Sequence, residues 1–168
     1  MARVVFMCGA AGSGKTAVAR RLEADHGFVR LSIDEQAWIH GYRSMPLPPA
    51  AAAAIEAGLR ARLLDLVARD RDVVLDFSFW SRTMREAWRS LLRPAGSIPE
   101  TIYLDTDRAT ALDRVRRRTA AGPDSFPLPD DVAAAYCDGL EPPTAEEGPL
   151  TVVRYRPDPP NGPEDAKA

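Results

Sequence analysis

The chain has 168 residues, 45% of them apolar, and a formal net charge of −2. That length suits one domain able to bury a core, and the near-neutral charge excludes the electrostatic footprint of a general nucleic-acid binder. Its two cysteines, Cys8 and Cys137, make neither a disulfide framework nor a spaced metal set and are read as reduced thiols.

In chain order, Val4 to Cys8 is a short apolar run that ends at a glycine, as a buried parallel strand would. Only about six apolar residues precede that glycine-rich turn, too few for a secretion signal or a membrane span, so no membrane partner is expected and the cytoplasm is the expected location. Lys15 to His26 reads as a helix, with Val18, Ala19 and Leu22 inward and Gly27 as its stop. Phe28 to Ile33 is a second strand, followed by a short helix that Asp34 is placed to cap. Gly41 to Pro49 is a proline-rich loop. Ala50 to Arg69 is an alanine-rich helix with Ile55, Leu59, Leu63 and Leu66 on one face. Asp72 to Phe77 reads as a third strand, Ser81 to Leu92 as a helix, and Thr101 to Leu104 as a fourth strand. Thr106 caps a helix running through Arg118, a loop spans Gly122 to Pro129, and Asp130 to Leu140 is another short helix. Leu150 to Tyr155 is the last strand. Residues 156–168 lack apolar periodicity and are expected to be a disordered tail, leaving 1–155 as the folded domain. Strands alternating with helices predict an α/β fold with a parallel sheet.

The positive charge is distributed unevenly by type: twenty arginines stand against two lysines. One lysine lies in the tail and the other is Lys15, inside Gly9, Ala10, Ala11, Gly12, Ser13, Gly14, Lys15 and Thr16. This is G-x-x-x-x-G-K-[ST], placed after an expected strand and at the start of an expected helix, the context that pattern requires. Small residues let main-chain N–H groups and the helix N-terminus wrap a phosphate chain. Lys15 reaches the β and γ phosphates as a flexible point charge, and Thr16 offers a hydroxyl to Mg²⁺. The planar fork of arginine does not fit that narrow loop, which accounts for the retained lysine. ATP or GTP with Mg²⁺ is therefore the expected cofactor pair.

Other residues at the C-terminal ends of the strands define what the nucleotide is used for, because that edge of an open parallel sheet lines the active crevice. Asp34 follows the second strand, where a carboxylate can accept a hydroxyl proton and orient the oxygen for attack on the γ-phosphate. Asp76 ends Val73-Val74-Leu75-Asp76 and either holds Mg²⁺, directly or through water, or contacts the acceptor. Phe77 rather than a glutamate comes next, which argues against a hydrolytic motor. Trp38, Phe79 and Trp80 are placed to stack on a ring of a small acceptor, with a core role as the alternative for Phe79 and Trp38. Arg82 and Arg85 are further substrate contacts. Arg114, Arg117 and Arg118 share a helix face leading into a lid loop, from which Arg114 and Arg118 can neutralise charge on the transferring phosphoryl group.

The stretches GAAGSGKT, LSIDE, VVLDFSFWSRTMR and YLDTDRATALDRVRRR resemble the small P-loop kinases of the chloramphenicol phosphotransferase and zeta-toxin type, grouped as AAA-33 domain proteins. EPPTAEE ahead of the last strand shares the likeness. The resemblance covers about Arg3 to Tyr155. It implies a P-loop kinase core with strand order 2-3-1-4-5, a small helical lid, and Mg²⁺-dependent phosphoryl transfer to a hydroxyl. It also implies Asp34 as base and Arg114 and Arg118 as lid arginines. The aromatic residues favour a ring-bearing acceptor, and the likeness adds an antibiotic as the specific hypothesis, with resistance as its role. Polynucleotide kinases carry an arginine shortly after the aspartate, where this chain has Trp38, so a nucleic-acid acceptor is not expected. The alternatives are a polynucleotide or toxin-like sugar-nucleotide kinase, and a nucleotide-dependent regulatory protein without transfer chemistry.

Overall fold

The computed structural model describes residues 1–118 and 122–155. The tail assigned to 156–168 lies outside the described residues. Five strands form one parallel sheet in the order β2-β3-β1-β4-β5: β1 is Val4–Cys8, β2 Val29–Ser32, β3 Val73–Asp76, β4 Glu100–Thr106 and β5 Leu150–Tyr155. The order is the one the resemblance implied. The helices are α1 (Lys15–His26), α2 (Ile33–Ile39), α3 (Pro49–Ala68), α4 (Arg82–Leu92), α5 (Arg108–Arg116) and α6 (Asp130–Asp138).

The central strands β1 and β3 are apolar up to Asp76, which ends β3, because both faces are covered. Every residue of β1 and β3 is buried. Alternation sends Val4, Phe6 and Cys8 to one face, where α3 (Ile55, Leu59, Leu63, Leu66) and α4 (Trp88, Leu92) close the larger core. Val5 and Met7 face the other way, against Ala19 of α1 and Phe28. A third cluster joins Leu112 and Val115 of α5 to Ala133 of α6.

The parallel register brings the ends that matter together. Ser32 pairs with Asp76 and Phe6 with Leu75, so Gly9 onward, Asp34 and Asp76 emerge at one edge. Two caps differ from expectation. Ser32, not Asp34, caps α2, its Oγ accepting from the Glu35 N–H. Asp107, not Thr106, caps α5. In both, the last non-helical residue before the helix takes the cap, and Asp34 is displaced into the first turn with its side chain free for other work.

Candidate active site

The turn from β1 into α1 is built on glycine where nothing else fits. Gly9, Gly12 and Gly14 have φ of 151°, 83° and 96°. A Cβ on Gly12 would sit 2.2 Å from the Ala111 carbonyl oxygen, so α5 packs directly on the loop. One on Gly9 would sit 2.7 Å from Ser13 Oγ. Gly14 is the N-cap of α1, which has no side-chain cap and no acidic residue in its first turn. Ser13 Oγ is buried without a hydrogen-bond partner. A helix start left uncapped, with an orphan hydroxyl beside it, is a receptor for an anion and fits a phosphate chain.

Lys15 Nζ donates to the Ala10 carbonyl at 2.8 Å, inside the loop. Burial pulls its pKa below the usual lysine range, opposed by the carboxylates of Asp76 and then Asp34. Asp34 is half-buried, and its pKa is pushed up to about 6, first by burial and then by the neighbouring Asp76 carboxylate; Lys15 and Arg118 act in the opposite direction. Arg118 is in turn drawn down by burial, with Asp34 opposing. Lys15, Asp34, Asp76 and Arg118 thus form one electrostatic cluster.

All four line a cavity of about 670 Å³, together with Gly9, Ala10, Ala11 and Thr16. One end is the phosphate loop. The other is apolar: Met45, Pro46 and Leu47 from the proline-rich loop, Ala52 of α3, Phe77 and Trp80 after β3, Phe126 and Leu128 from the α5–α6 connection, and Tyr136 and Leu140 at α6. Two sides of this end come from the proline-rich loop and from the Phe77–Trp80 segment. The third wall, from Phe126 to Leu140, comes from the connection expected as a lid over the phosphates and from α6; no pattern in the sequence indicated that these also line the apolar end. Residues 119–121 of that connection lie outside the described residues.

Several expected site residues stand elsewhere. Phe79 is fully buried, its ring stacked on Phe6 at 4.3 Å and 9°. Its φ of 43° turns the chain so that Phe79 enters the core while Trp80, half exposed, faces the cavity. Its carbonyl is held by Arg85 at 2.8 Å. Arg85 is itself fully buried and makes a two-pronged bridge to Glu147, Nε–Oε2 2.7 Å and Nη2–Oε1 2.9 Å. That bridge removes it from substrate contact. Arg82 starts α4, exposed and outside the cavity lining. Trp38 packs against the larger core and under the Arg43 guanidinium, 3.9 Å from its ring, and also leaves the cavity lining. Arg114 braces the phosphate loop from behind, donating to the Gly12 carbonyl at 3.2 Å and lying over the Tyr155 ring at 4.3 Å. Arg117 pairs with Asp113 on the surface.

The profile of the AAA domain family AAA_33 matches residues 4–143. The chain belongs to that family. This AAA_33 chain matches no curated protein sequence. Solved structures similar to it include a provisionally assigned kinase from Chloroflexus aurantiacus, with TM-score 0.72 at 18% identity, covering 91% of this chain and 88% of the other. A sugar kinase from Janibacter gives TM-score 0.67 at 18% identity over 92% and 86% of the two chains. A gluconokinase from Sinorhizobium meliloti gives 0.62 at 21% identity over 90% and 82%. At such identities the likeness establishes the fold, the parallel 2-3-1-4-5 sheet of P-loop kinases.

The oxygen donors at the cavity, Thr16 and Asp76, suit Mg²⁺, which keeps several waters and takes one or two carboxylates plus phosphate oxygens. Among the described residues no group of three or more His, Cys, Asp or Glu is arranged to hold a metal alone, so the nucleotide would have to supply the remaining oxygens. Among the same residues no helix is long and apolar enough to cross a membrane.

Proposed function

We propose that this AAA_33 protein is a kinase that transfers the γ-phosphoryl group of ATP or GTP to a hydroxyl of a ring-bearing small molecule in the cytoplasm. The observation that carries the reading is the single cavity with a phosphate loop at one end, an apolar chamber at the other, and Asp34 in its wall.

The main-chain N–H groups of residues 9–16 hold the triphosphate, and Lys15 exchanges the Ala10 carbonyl for the β and γ phosphates. Thr16 and Asp76 would hold Mg²⁺, which neutralises charge on the phosphate oxygens when bound. Asp34 accepts the acceptor's hydroxyl proton as its oxygen bonds to the γ-phosphorus. The bond from that phosphorus to the β–γ bridging oxygen breaks, and the nucleoside diphosphate leaves. Arg118, which also lines the cavity, offsets charge on the transferring group, and Arg114 keeps the loop in shape.

Beyond Lys15 and Arg118, the described residues that line the cavity include no basic side chain, and the acidic Asp124 there is already paired with Arg20 and Arg30. A carboxylate or phosphate on the acceptor would therefore find no free cationic partner among those residues beyond those two. That favours uncharged, ring-bearing alcohols over sugar acids and nucleic-acid ends, with an antibiotic alcohol as the specific acceptor suggested by the family resemblance.

Labelled ATP and GTP with a panel of neutral aromatic alcohols, sugar acids and oligonucleotides tests the reading. Label transfer to a neutral alcohol is expected, and its loss by about 10²–10³-fold in Lys15→Ala. Phosphorylation of the acids or oligonucleotides instead would refute the acceptor assignment. Nucleotide binding without transfer to any acceptor would refute the kinase.

A further inference from the structure

Arg30 lies in β2 with its side chain 1% exposed, an unusual place for a guanidinium. It sits among four carboxylates drawn from four segments. Nη1 donates to Asp76 Oδ2 at 3.0 Å, and Nη2 donates to Glu35 Oε1 at 3.0 Å and to Asp124 Oδ1 at 3.4 Å. Nε has no hydrogen-bond partner and lies 3.8 Å from Glu23 Oε2. Asp76 closes β3, Glu35 follows Asp34 in the first turn of α2, and Asp124 belongs to the α5–α6 connection. Arg20 of α1 holds both oxygens of Asp124 from outside, Nε donating to Oδ2 at 3.0 Å and Nη2 to Oδ1, the oxygen it shares with Arg30. Asp76 and Asp124 both line the cavity.

We propose that Arg30 is a positioning residue that fixes Asp76 for the metal ion and, through Asp124, ties the α5–α6 connection to that carboxylate. The inference rests on the kinase reading. A guanidinium can do this because its planar fork presents separate donors in fixed directions. With Oδ2 of Asp76 engaged by Nη1, the carboxylate cannot rotate freely, and Oδ1 remains for the cavity. Asp124 reaches the same guanidinium from the connection that carries Phe126 and Leu128. Seating of that wall and the orientation of Asp76 therefore share one side chain. Partners of this kind, one bond removed from a metal ligand, typically contribute about 10–100-fold to metal affinity.

The test measures Mn²⁺ binding in the presence of ADP by electron paramagnetic resonance, in the wild type, Arg30→Lys, Asp124→Asn and the double variant. Lysine keeps the buried charge, so the fold is retained, but one ammonium cannot hold both carboxylates in place. Arg30→Lys is expected to weaken Mn²⁺ binding about tenfold or more, while metal-free ADP binding stays within about twofold because Arg30 does not touch the phosphate loop. Asp124→Asn is expected to weaken it less, and the double variant no further than Arg30→Lys, since Asp124 acts through Arg30. Unchanged Mn²⁺ binding in Arg30→Lys overturns the proposal with the kinase reading intact. Full additivity in the double variant overturns the tie to the α5–α6 connection. Equal loss of metal-free ADP binding marks a merely structural role and also overturns it. No Mn²⁺–ADP binding in the wild type overturns both this proposal and the reading beneath it.

Discussion

Asp34 is the residue on which the proposed chemistry turns, and its environment sets a pH dependence. The group must be ionised to accept a proton. With its pKa pushed up to about 6, kcat/KM is expected to fall along an acid limb centred near that pH, which a rate profile would show. Asp34→Asn should lower turnover by about 10²–10⁴-fold, the usual contribution of a general base. The stability effect has the opposite sign. A carboxyl whose pKa is raised on folding holds its proton more tightly in the folded state, so its contribution is lost as pH rises from the ordinary 3.8 through about 6. Removing that charge should therefore raise the unfolding free energy at pH 7.5 by on the order of 1 kcal/mol, discounted for partial exposure. A variant that is both dead and more stable separates a functional carboxylate from a structural one. Gly12 makes a contrasting case. Its φ of 83° and the 2.2 Å approach of the Ala111 oxygen leave no room for a methyl group. Gly12→Ala should displace α5 from the loop and cost about 1–3 kcal/mol in backbone strain alone, measurable by denaturant unfolding alongside loss of ADP binding.

Among the elements, α4 and the segment before β5 depend on each other. Glu147 is 4% exposed at its side chain and receives Arg85 and Arg89, with the Thr144 N–H donating to it at 3.2 Å. Arg89 also reaches Thr101 of β4 at 2.8 Å. The guanidinium of Arg85 holds the Glu147 carboxyl down at about 2. Its stabilising contribution is present above the ordinary glutamate value of 4.5 and is lost as pH falls from there through about 2. Glu147→Gln removes the charge and leaves two buried guanidinium groups short of a partner. It is expected to cost about 3–5 kcal/mol, and to abolish the part of the acid sensitivity between pH 4.5 and 2 that the wild type shows in chemical unfolding. The sequence does not announce this bridge. EPPTAEE shows acidic residues and Arg85 shows a helix face, but only the packing of α4 against the segment before β5 makes them neighbours. Phe79 is the same lesson in a loop. Its aromatic type allowed either a cavity wall or a core role, and a single left-handed residue at φ 43° assigned it to the core.

At the scale of the whole molecule, the sheet places the phosphate loop and the two aspartates at one edge, and the loops and α6 close a chamber over them. A ligand that binds only this folded arrangement must stabilise it. Saturation with Mg²⁺ and ATP at about 100 times Kd should add about 2.7 kcal/mol, and a domain of this size gains about 2–4 °C in Tm per kcal/mol, a shift that thermal unfolding with and without ligand would record. Neutral alcohols should add to it, whereas gluconate should not.

Local physics made the rest of the site readable in advance. The phosphate loop with Lys15 and Thr16, and the placing of Asp34 and Asp76 at strand ends, could be anticipated, because glycine spacing, a retained lysine and apolar strand runs are constraints within a few residues of chain; the sheet order came only from the family resemblance. What only the tertiary structure decided is which distant side chains share a space. Arg30 among the carboxylates of Asp76, Glu35 and Asp124, Arg85 on Glu147, and the wall from Phe126 to Leu140 all join residues far apart in sequence. A charged residue in a strand carries no signal of its partner, since burial of that charge becomes tolerable only after the fold has brought the opposite charges to it.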